Sequence, residues 1–322
     1  MVNNRNNSKM KTLKKITFVL GLTLGSLSII AQQEPMFTHY MNNTLAVNPA
    51  YAGSREALTV TALHRSQWVG FKGAPLTQTI TMHSPLNNEH VGLGFSVLND
   101  RIGPTNNTTV VVDYAYRMNL SENAKLALGL SAGASIFQAN LNTLLLDEEI
   151  DPAFLNNVNN RVTPNFGFGV YYSRERFYAG ISVPYLIENR YSSKEKLDGS
   201  LLIGKERRHY YFIAGAVINL TDNLAFKPTT LVKVTAAAPI QADLTASFII
   251  MQKFLVGAMY RTGDAFGGLV GLDITEQLHI GYSYDWSFGL KTSKYNQGSH
   301  EILLRYDFVF SSKKQIHSPR YF

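Results

Sequence analysis

Along much of this chain, side chains alternate in character with a period of two. That is the mark of a strand whose faces meet different surroundings. From Val110, one parity reads Val110, Val112, Tyr114, Tyr116 and Met118, and the other Val111, Asp113, Ala115 and Arg117. From Leu278, one parity is Leu278, Ile280, Tyr282, Tyr284 and Trp286, against His279, Gly281, Ser283 and Asp285. From Ile302 the pattern is Ile302, Leu304, Tyr306, Phe308 and Phe310, against Leu303, Arg305, Asp307 and Val309. From Phe254 it is Phe254, Val256, Ala258 and Tyr260, against Leu255, Gly257, Met259 and Arg261. One face is apolar and ends in aromatics; the other is small or polar and in places charged.

Fourteen such segments are read, near 56–65, 76–84, 90–98, 107–118, 124–137, 164–173, 176–184, 208–219, 224–235, 240–251, 253–262, 265–274, 277–287 and 300–310. Most hold about ten residues, enough for a tilted strand to cross a bilayer. Very short connections around Arg174-Glu175, Leu220 to Asn223, Gln252 and Thr275-Glu276 alternate with longer ones at 66–75, 99–106, 138–163, 185–207 and 288–299. Those at 236–239 and 263–264 are short as well, so the asymmetry is incomplete. Short periplasmic turns, long external loops and an even strand number describe an outer-membrane barrel. Closure also removes the sheet edges that hydrocarbon could not hydrogen-bond. The expected fold is therefore an all-β, transmembrane, antiparallel up-and-down barrel of fourteen strands. A soluble sandwich also alternates, but it would hide its apolar parity rather than end it in Tyr, Phe and Trp, and it would seldom need so many long strands.

The N-terminus supplies the export route. Lys11, Lys14 and Lys15 precede an apolar run from Ile16 to Ile30, and Ala31 gives way to Gln32-Gln33-Glu34. This is the three-part secretory pattern. The run is too short for a spanning helix, which needs about 20 residues. Cleavage is placed between Ala31 and Gln32, although Ile29 departs from the small-residue rule at the third position before the cut. Met10-Lys11 reads as a natural start, making residues 1–9 an upstream extension. After position 31 no apolar run approaches a membrane-spanning length. The expected division is a signal peptide at 1–31, a periplasmic segment or plug at 32–55, the barrel at 56–310 and a polar, basic periplasmic tail at 311–322.

Composition narrows the chemistry. The chain has no cysteine, which removes disulfides, thiolate metal sites and cysteine nucleophiles. Lys and Arg number 30 and Asp and Glu 23, but five of the cations (Arg5, Lys9, Lys11, Lys14 and Lys15) precede the cut. The mature balance is 25 against 23, so no electrostatic case for a nucleic-acid partner remains. The eight histidines are scattered. Ser283 and His279 share a strand face without an obvious third partner. Gly263 to Gly268 is a glycine-rich turn with no following helix. Asp147-Glu148-Glu149-Ile150-Asp151 is an acidic run in a long loop whose spacing matches no calcium loop. No catalytic residue, metal ligand or cofactor is expected. Inward Asp113, Arg117, Arg261, Asp285, Arg305 and Asp307 read as lumen charges, either lining a pore or pairing across neighbouring strands.

Two stretches carry a resemblance. One is Met36 to Met41 through Asn48-Pro49-Ala50-Tyr51-Ala52-Gly53-Ser54, followed by Gln67-Trp68-Val69-Gly70-Phe71-Lys72-Gly73-Ala74-Pro75. The other is Ile280 to Asp285, then Gly298-Ser299-His300-Glu301 and Ser318 to Phe322. Together they resemble the PorP/SprF family of type IX secretion system outer-membrane proteins, found in gliding and adhesin-secreting bacteria. The resemblance spans essentially the whole mature chain. It implies a non-enzymatic export component that holds a secreted adhesin through its C-terminal sorting domain, or links to periplasmic ring and lipoprotein parts, within outer-membrane lipid. The residues carried over as structural or partner-contact positions are Asn48, Pro49, Ala50, Tyr51, Gly53, Gln67, Trp68, Gly70, Phe71, Gly73, Pro75, Gly298, His300 and Glu301. Read without the resemblance, Asn48-Pro49 sets a turn, Gly53 permits a positive φ, and Trp68 anchors its loop. The competing expectation is a transport barrel, porin-like or a channel for hydrophobic ligands, with 32–55 as its plug.

Overall fold

The structure is a computed structural model describing residues 34–86, 89–143, 157–192, 202–236, 238–288 and 295–309. The strands are β1 (Leu58–Ser66), β2 (Leu76–Pro85), β3 (Val91–Ile102), β4 (Thr105–Ser121), β5 (Ala124–Ala139), β6 (Val158–Arg174), β7 (Phe177–Val183), β8 (Arg190–Ser192), β9 (Leu202–Lys205), β10 (His209–Ala216), β11 (Ile218–Thr221), β12 (Leu224–Thr235), β13 (Gln241–Ile250), β14 (Phe254–Arg261), β15 (Ala265–Asp273), β16 (Leu278–Ser287) and β17 (Ser299–Phe308). β8 and β9 form a separate hairpin; all the others join one antiparallel sheet in chain order. β1 pairs with β17 from Leu58↔Phe308 to Ser66↔His300, which closes the sheet. β10 and β11 are one stave in two pieces, both paired with β12, so the barrel has fourteen staves. Carrying the register across the gap sets Ala216 opposite Pro228, which has no N–H to give the ladder.

The two faces are inverted relative to a soluble protein. Leu130, Ile181 and Leu244 are 58%, 56% and 51% exposed, whereas Arg65, Arg261 and Glu301 are at most 1% exposed. An apolar exterior around a polar interior is the arrangement hydrocarbon requires. Outward aromatics gather near the strand ends. Phe266 packs on Trp286 at 5.7 Å and on Phe288 at 5.9 Å at the long-loop end. Tyr114 and Tyr116 are exposed toward the opposite end of β4. Rings with an apolar body and a polar tip favour those headgroup levels. No helix among the described residues is long and apolar enough to cross a membrane.

Some boundaries differ from the sequence reading. The connection at 99–106 is mostly strand: β3 and β4 pair down to Ile102↔Thr105, leaving a two-residue turn at Gly103-Pro104. β6 starts at Val158 rather than near 164 and pairs with β5 as far as Ala139↔Val158. These extensions are rich in Asn and Thr. Where both faces of a ladder meet water no alternation is needed, so the period-two signal fades while the hydrogen bonds continue. The signal peptide with Ala31 and Gln32, the acidic run 147–151 and the tail 311–322 lie outside the described residues.

Before β1 the chain makes three short 3₁₀ turns, Tyr40–Asn42, Thr44–Ala46 and Pro49–Tyr51. Phe37 to Leu45 and Val47 to Gly53 are all buried. Their partners are inward-facing residues on strands all round the wall, so this segment lies inside the barrel. The principal apolar core is there too. Tyr40, Met41, Leu45, Val47, Ala50, Tyr51 and Ala52 pack with Ala115, Ala127, Tyr171, Tyr178, Tyr211, Ile213 and Leu231.

Candidate functional site

The site is the lumen and the segment within it. The chain enters the described region toward the long-loop end. Glu34 Oε1 lies 3.1 Å from His209 Nδ1, and Tyr211 Oη donates to Glu34 Oε2. Burial pushes the Glu34 carboxyl up, but His209, Tyr211 and Lys233 outweigh it and hold it below the usual range.

Next comes a buried ionic cluster at the seam where the first and last strands meet. Thr38 N and His39 N donate to the two Glu301 oxygens at 2.9 and 2.7 Å. His39 Nδ1 is 2.8 Å from Glu301 Oε1. Arg65, directly opposite Glu301 in the β1–β17 register, reaches Glu301 Oε2 at 3.1 Å, Asp285 Oδ2 at 2.7 Å and Thr38 Oγ1 at 3.0 Å. Thr38 Oγ1 donates to Asp285 Oδ2 at 2.7 Å. Arg261 grips Asp243 with two bonds of 2.8 and 3.0 Å. Charges so deeply buried persist only because each finds partners.

The segment then crosses the lumen. Tyr40 Oη sits 3.0 Å from Thr229 Oγ1 and donates to Thr245 Oγ1 at 3.2 Å; its burial raises the phenol pKa well above its ordinary value. The Asn43 amide exchanges hydrogen bonds with Thr79 and Thr81 at 3.0 and 2.9 Å. Asn48 caps the Pro49–Tyr51 turn by accepting from Ala50 N at 3.0 Å, and its amide donates to Val170 O at 3.1 Å. Ser182 Oγ donates to Val47 O at 2.6 Å. Tyr51 meets His83 and Tyr171 edge-on, at 5.2 and 5.4 Å.

The wall is carved to admit this backbone. Gly129 and Gly169 face each other across β5 and β6. A Cβ on Gly129 would lie 2.1 Å from Ala50 N, and one on Gly169 2.1 Å from Asn48 Oδ1. On β3, a Cβ on Gly92 would lie 2.1 Å from Ala52 O. Gly53 takes φ +73°, turning the chain toward the short-turn end. There Arg117 donates to Gly53 O, and Gly53 N donates to His83 Nδ1 at 3.1 Å. A second seam cluster follows: Arg55 donates to Asp307 at 3.3 and 2.8 Å, and Thr59 Oγ1 donates to Asp307 Oδ1 at 2.7 Å. Burial opposes the Arg55 charge, but Asp307 overcomes this and raises its pKa above the ordinary value.

The family-motif residues thus divide between two places. Asn48, Pro49, Ala50, Tyr51 and Gly53 lie in the lumen. Gln67, Trp68, Gly70, Phe71, Gly73 and Pro75 form the β1–β2 loop at the opposite end. That loop extends the seam: Val69 N donates to Gly298 O at 2.9 Å, Gln297 N to Val69 O at 2.8 Å, and Trp68 N to Ser299 Oγ at 3.2 Å. Gly70, Gly73 and Gly298 have φ of +90°, +79° and +84°, and Phe71 is 44% exposed. His300 bonds Tyr282 Oη at 2.7 Å on the outer face, whereas its neighbour Glu301 points inward to the cluster. Ser283 and His279 are four residues apart on one strand, about 13 Å, and His279 instead binds Asp273 at 2.7 Å. No group of three or more His, Cys, Asp or Glu that could hold a metal is found among the described residues.

The sequence reading missed who pairs with whom. Arg65, Asp285, Arg55 and Asp307 were visible as charges, the last two at opposite ends of the chain. Only the β1–β17 register and the fold of 34–55 bring them together. The lumen charges Asp307, Asp285, Arg117 and Arg305 bond to that segment, whereas Arg261 pairs with Asp243 across neighbouring strands.

A closed antiparallel barrel with an apolar exterior and a polar, charged lumen wall is an outer-membrane β-barrel. Solved barrels similar to it include the Acinetobacter baumannii outer membrane protein Omp33, at 11% identity over 79% of this chain and 100% of that chain with a TM-score of 0.45. The CymD monoaromatic hydrocarbon channel is similar at 9% identity over 87% and 95% with a TM-score of 0.48. The KdgM porin matches at 10% over 78% and 100% with a TM-score of 0.36. No curated protein sequence matches significantly. Residues 29–306 match the family described as type IX secretion system membrane protein PorP/SprF. The chain belongs to that family, which makes it an outer-membrane component of the type IX secretion system.

Proposed function

We propose that this barrel is a non-conducting, non-enzymatic docking component. It holds a secreted adhesin at the outer membrane through the adhesin's C-terminal sorting domain and contacts the periplasmic machinery from its short-turn end. In this reading the signal peptide is cut after Ala31, the short turns and the tail 311–322 face the periplasm, and residues 32–55 are a built-in plug. The supporting observation is the density of contacts from Glu34 to Arg55, with ionic anchors at both ends and an apolar core between. A wall that must admit solute would not commit its lumen charges to a fixed internal segment. The motif loop 67–75, stitched to 297–299, offers Phe71 and its glycine turns at the external rim as a contact surface.

The test is affinity purification of the tagged full chain from gently solubilised native outer membrane. The expected co-purifying species is a large secreted protein that is lost when its C-terminal domain is removed. Gene deletion should abolish surface display of that cargo without altering permeability. Unchanged display would sink the docking role, and a steady solute-dependent conductance would restore the transport reading.

A further inference from the structure

At the long-loop end, a groove of about 400 Å³ opens between the β1–β2 loop and the adjoining ends of β2 and β3. Val69, Phe71, Ala74, Pro75 and Leu76 wall it, and Arg101 is the one charged residue among the described residues that line it. Register fixes which side of the wall it is on. Arg101 stands opposite Leu76, and Leu76 opposite Ser66. Their chain neighbours Arg65 and Thr77 are buried on the inner face. Successive strand residues face opposite ways, so Ser66, Leu76 and Arg101 point outward. Height follows from the strand. Arg101 lies eleven residues past His90 at the short turn. A strand tilted about 40° climbs about 2.6 Å per residue, which sets Arg101 about 28 Å above that turn. The apolar band of an outer-membrane barrel is about 25 Å tall, so the guanidinium lies at the level of the lipid headgroups.

We infer that this groove seats a phosphate-bearing lipid of the outer leaflet, its phosphate on Arg101 and its apolar part against Leu76 and the loop. Outward polar side chains on the neighbouring strands satisfy one another. His64 bonds Ser66 and Gln78, each at 3.2 Å. Asn99 donates to Asn106 and Thr108 at 2.9 and 2.8 Å, and His300 bonds Tyr282 at 2.7 Å. Mutual bonding of this kind suits a face turned to lipid, where an unpaired polar group is costly. Arg101 is the exception: among the described residues it has no hydrogen-bond or ion-pair partner. No carboxylate lines the groove to balance its charge. The stem of an arginine can lie along an apolar wall while its head stays in the headgroup layer, and a guanidinium meets a phosphate through two parallel N–H bonds. A free anion from solution would answer the charge but leave the apolar wall uncovered; a lipid answers both. The inference rests on the docking reading only for the leaflet, because that reading puts the long loops outside.

The test is native mass spectrometry of the full chain in detergent micelles, titrated with lipid A carrying its phosphates and with lipid A stripped of them. The phosphorylated form should bind about tenfold more tightly, the factor expected for one hydrogen bond to a charged group. Equal binding of the two overturns the inference on the unaltered protein, so no variant need fold. Arg101→Gln, checked for its folded barrel by gel mobility, should erase the difference; a difference that survives places the contact elsewhere and overturns the assignment. Leu76→Ser should weaken both lipids alike, and unchanged binding of both would take the apolar wall out of the site and overturn the seat. Inorganic phosphate at millimolar concentration should not displace the lipid; displacement would make this an anion site and overturn the assignment to a lipid. A barrel indifferent to lipid A that still retains its cargo would defeat this inference and leave the docking reading intact.

Discussion

The two sides of the lumen hold the internal segment by different physics. On the side of β4 to β7, β10 and β12, the contact is an apolar core of Tyr51, Tyr171, Tyr178, Ile213 and their neighbours, fitted over glycines. At the β1–β17 seam and the adjacent β16, it is ionic: Glu301, Arg65 and Asp285 around Thr38 and His39, then Asp307 and Arg55. The apolar side gains from burial whatever the detailed partner, at roughly 25 cal/mol per Å². The ionic side gains little on balance, because desolvation offsets attraction, but losing one partner strands the others. The first kind of contact fills; the second specifies register. Both seam clusters join first strand, last strand and segment, so the segment reinforces a register that the β1–β17 ladder already sets.

This contrast can be broken at several points. Removing residues 36–54 takes away both kinds of contact and should have the largest effect: a stable ionic conductance in a planar bilayer where the intact chain gives none. Glu301→Ala leaves two backbone N–H groups and His39 Nδ1 without their partner and Arg65 with Asp285 as its one remaining carboxylate, and should lower unfolding stability in detergent by about 3–5 kcal/mol. Tyr51→Ala should cost about 3–5 kcal/mol through a cavity. Unlike Glu301→Ala, its loss should be insensitive to a nearby second charge change such as Asp285→Asn, as a double-mutant cycle would read. Gly169→Ala pushes a methyl toward Asn48 Oδ1 and should cost about 1–3 kcal/mol. The smallest effect belongs to Glu34→Gln. Because folding lowers the Glu34 pKa, its contribution is fully present above the unfolded value of about 4.3. It is lost as pH falls through the lower folded value. Unfolding midpoints of the variant and the parent should therefore converge in acid and separate toward neutrality.

The strands were legible where the membrane imposes two unlike faces. β16 and β17 alternate residue by residue, and their observed bounds nearly match the segments read from the sequence. Legibility failed where neither face is consistently buried, as at 105–108 of β4 and 159–162 of β6, and the β8–β9 hairpin within 185–207 was not read. It failed differently at Val217, where the interruption comes from a proline in the neighbouring strand. The site was legible only as residue types. The turn at Asn48-Pro49 and the positive φ at Gly53 follow from local chemistry. That Thr38 and His39 cap Glu301 depends on contacts spanning more than 260 residues, and no local pattern encodes them. The paired glycines of β5 and β6 were a missed signal. Inward-facing glycines at matching positions on adjacent strands mark where another backbone approaches.

The central claim is that the N-terminal segment, held by an apolar core on one side and a charged seam on the other, closes the lumen. Single-channel recording of the purified full chain tests it most directly, beside the chain lacking residues 36–54. The account predicts silence from the full chain and steady conductance from the deletion. Steady conductance from the full chain, with no increase on deletion, would contradict it.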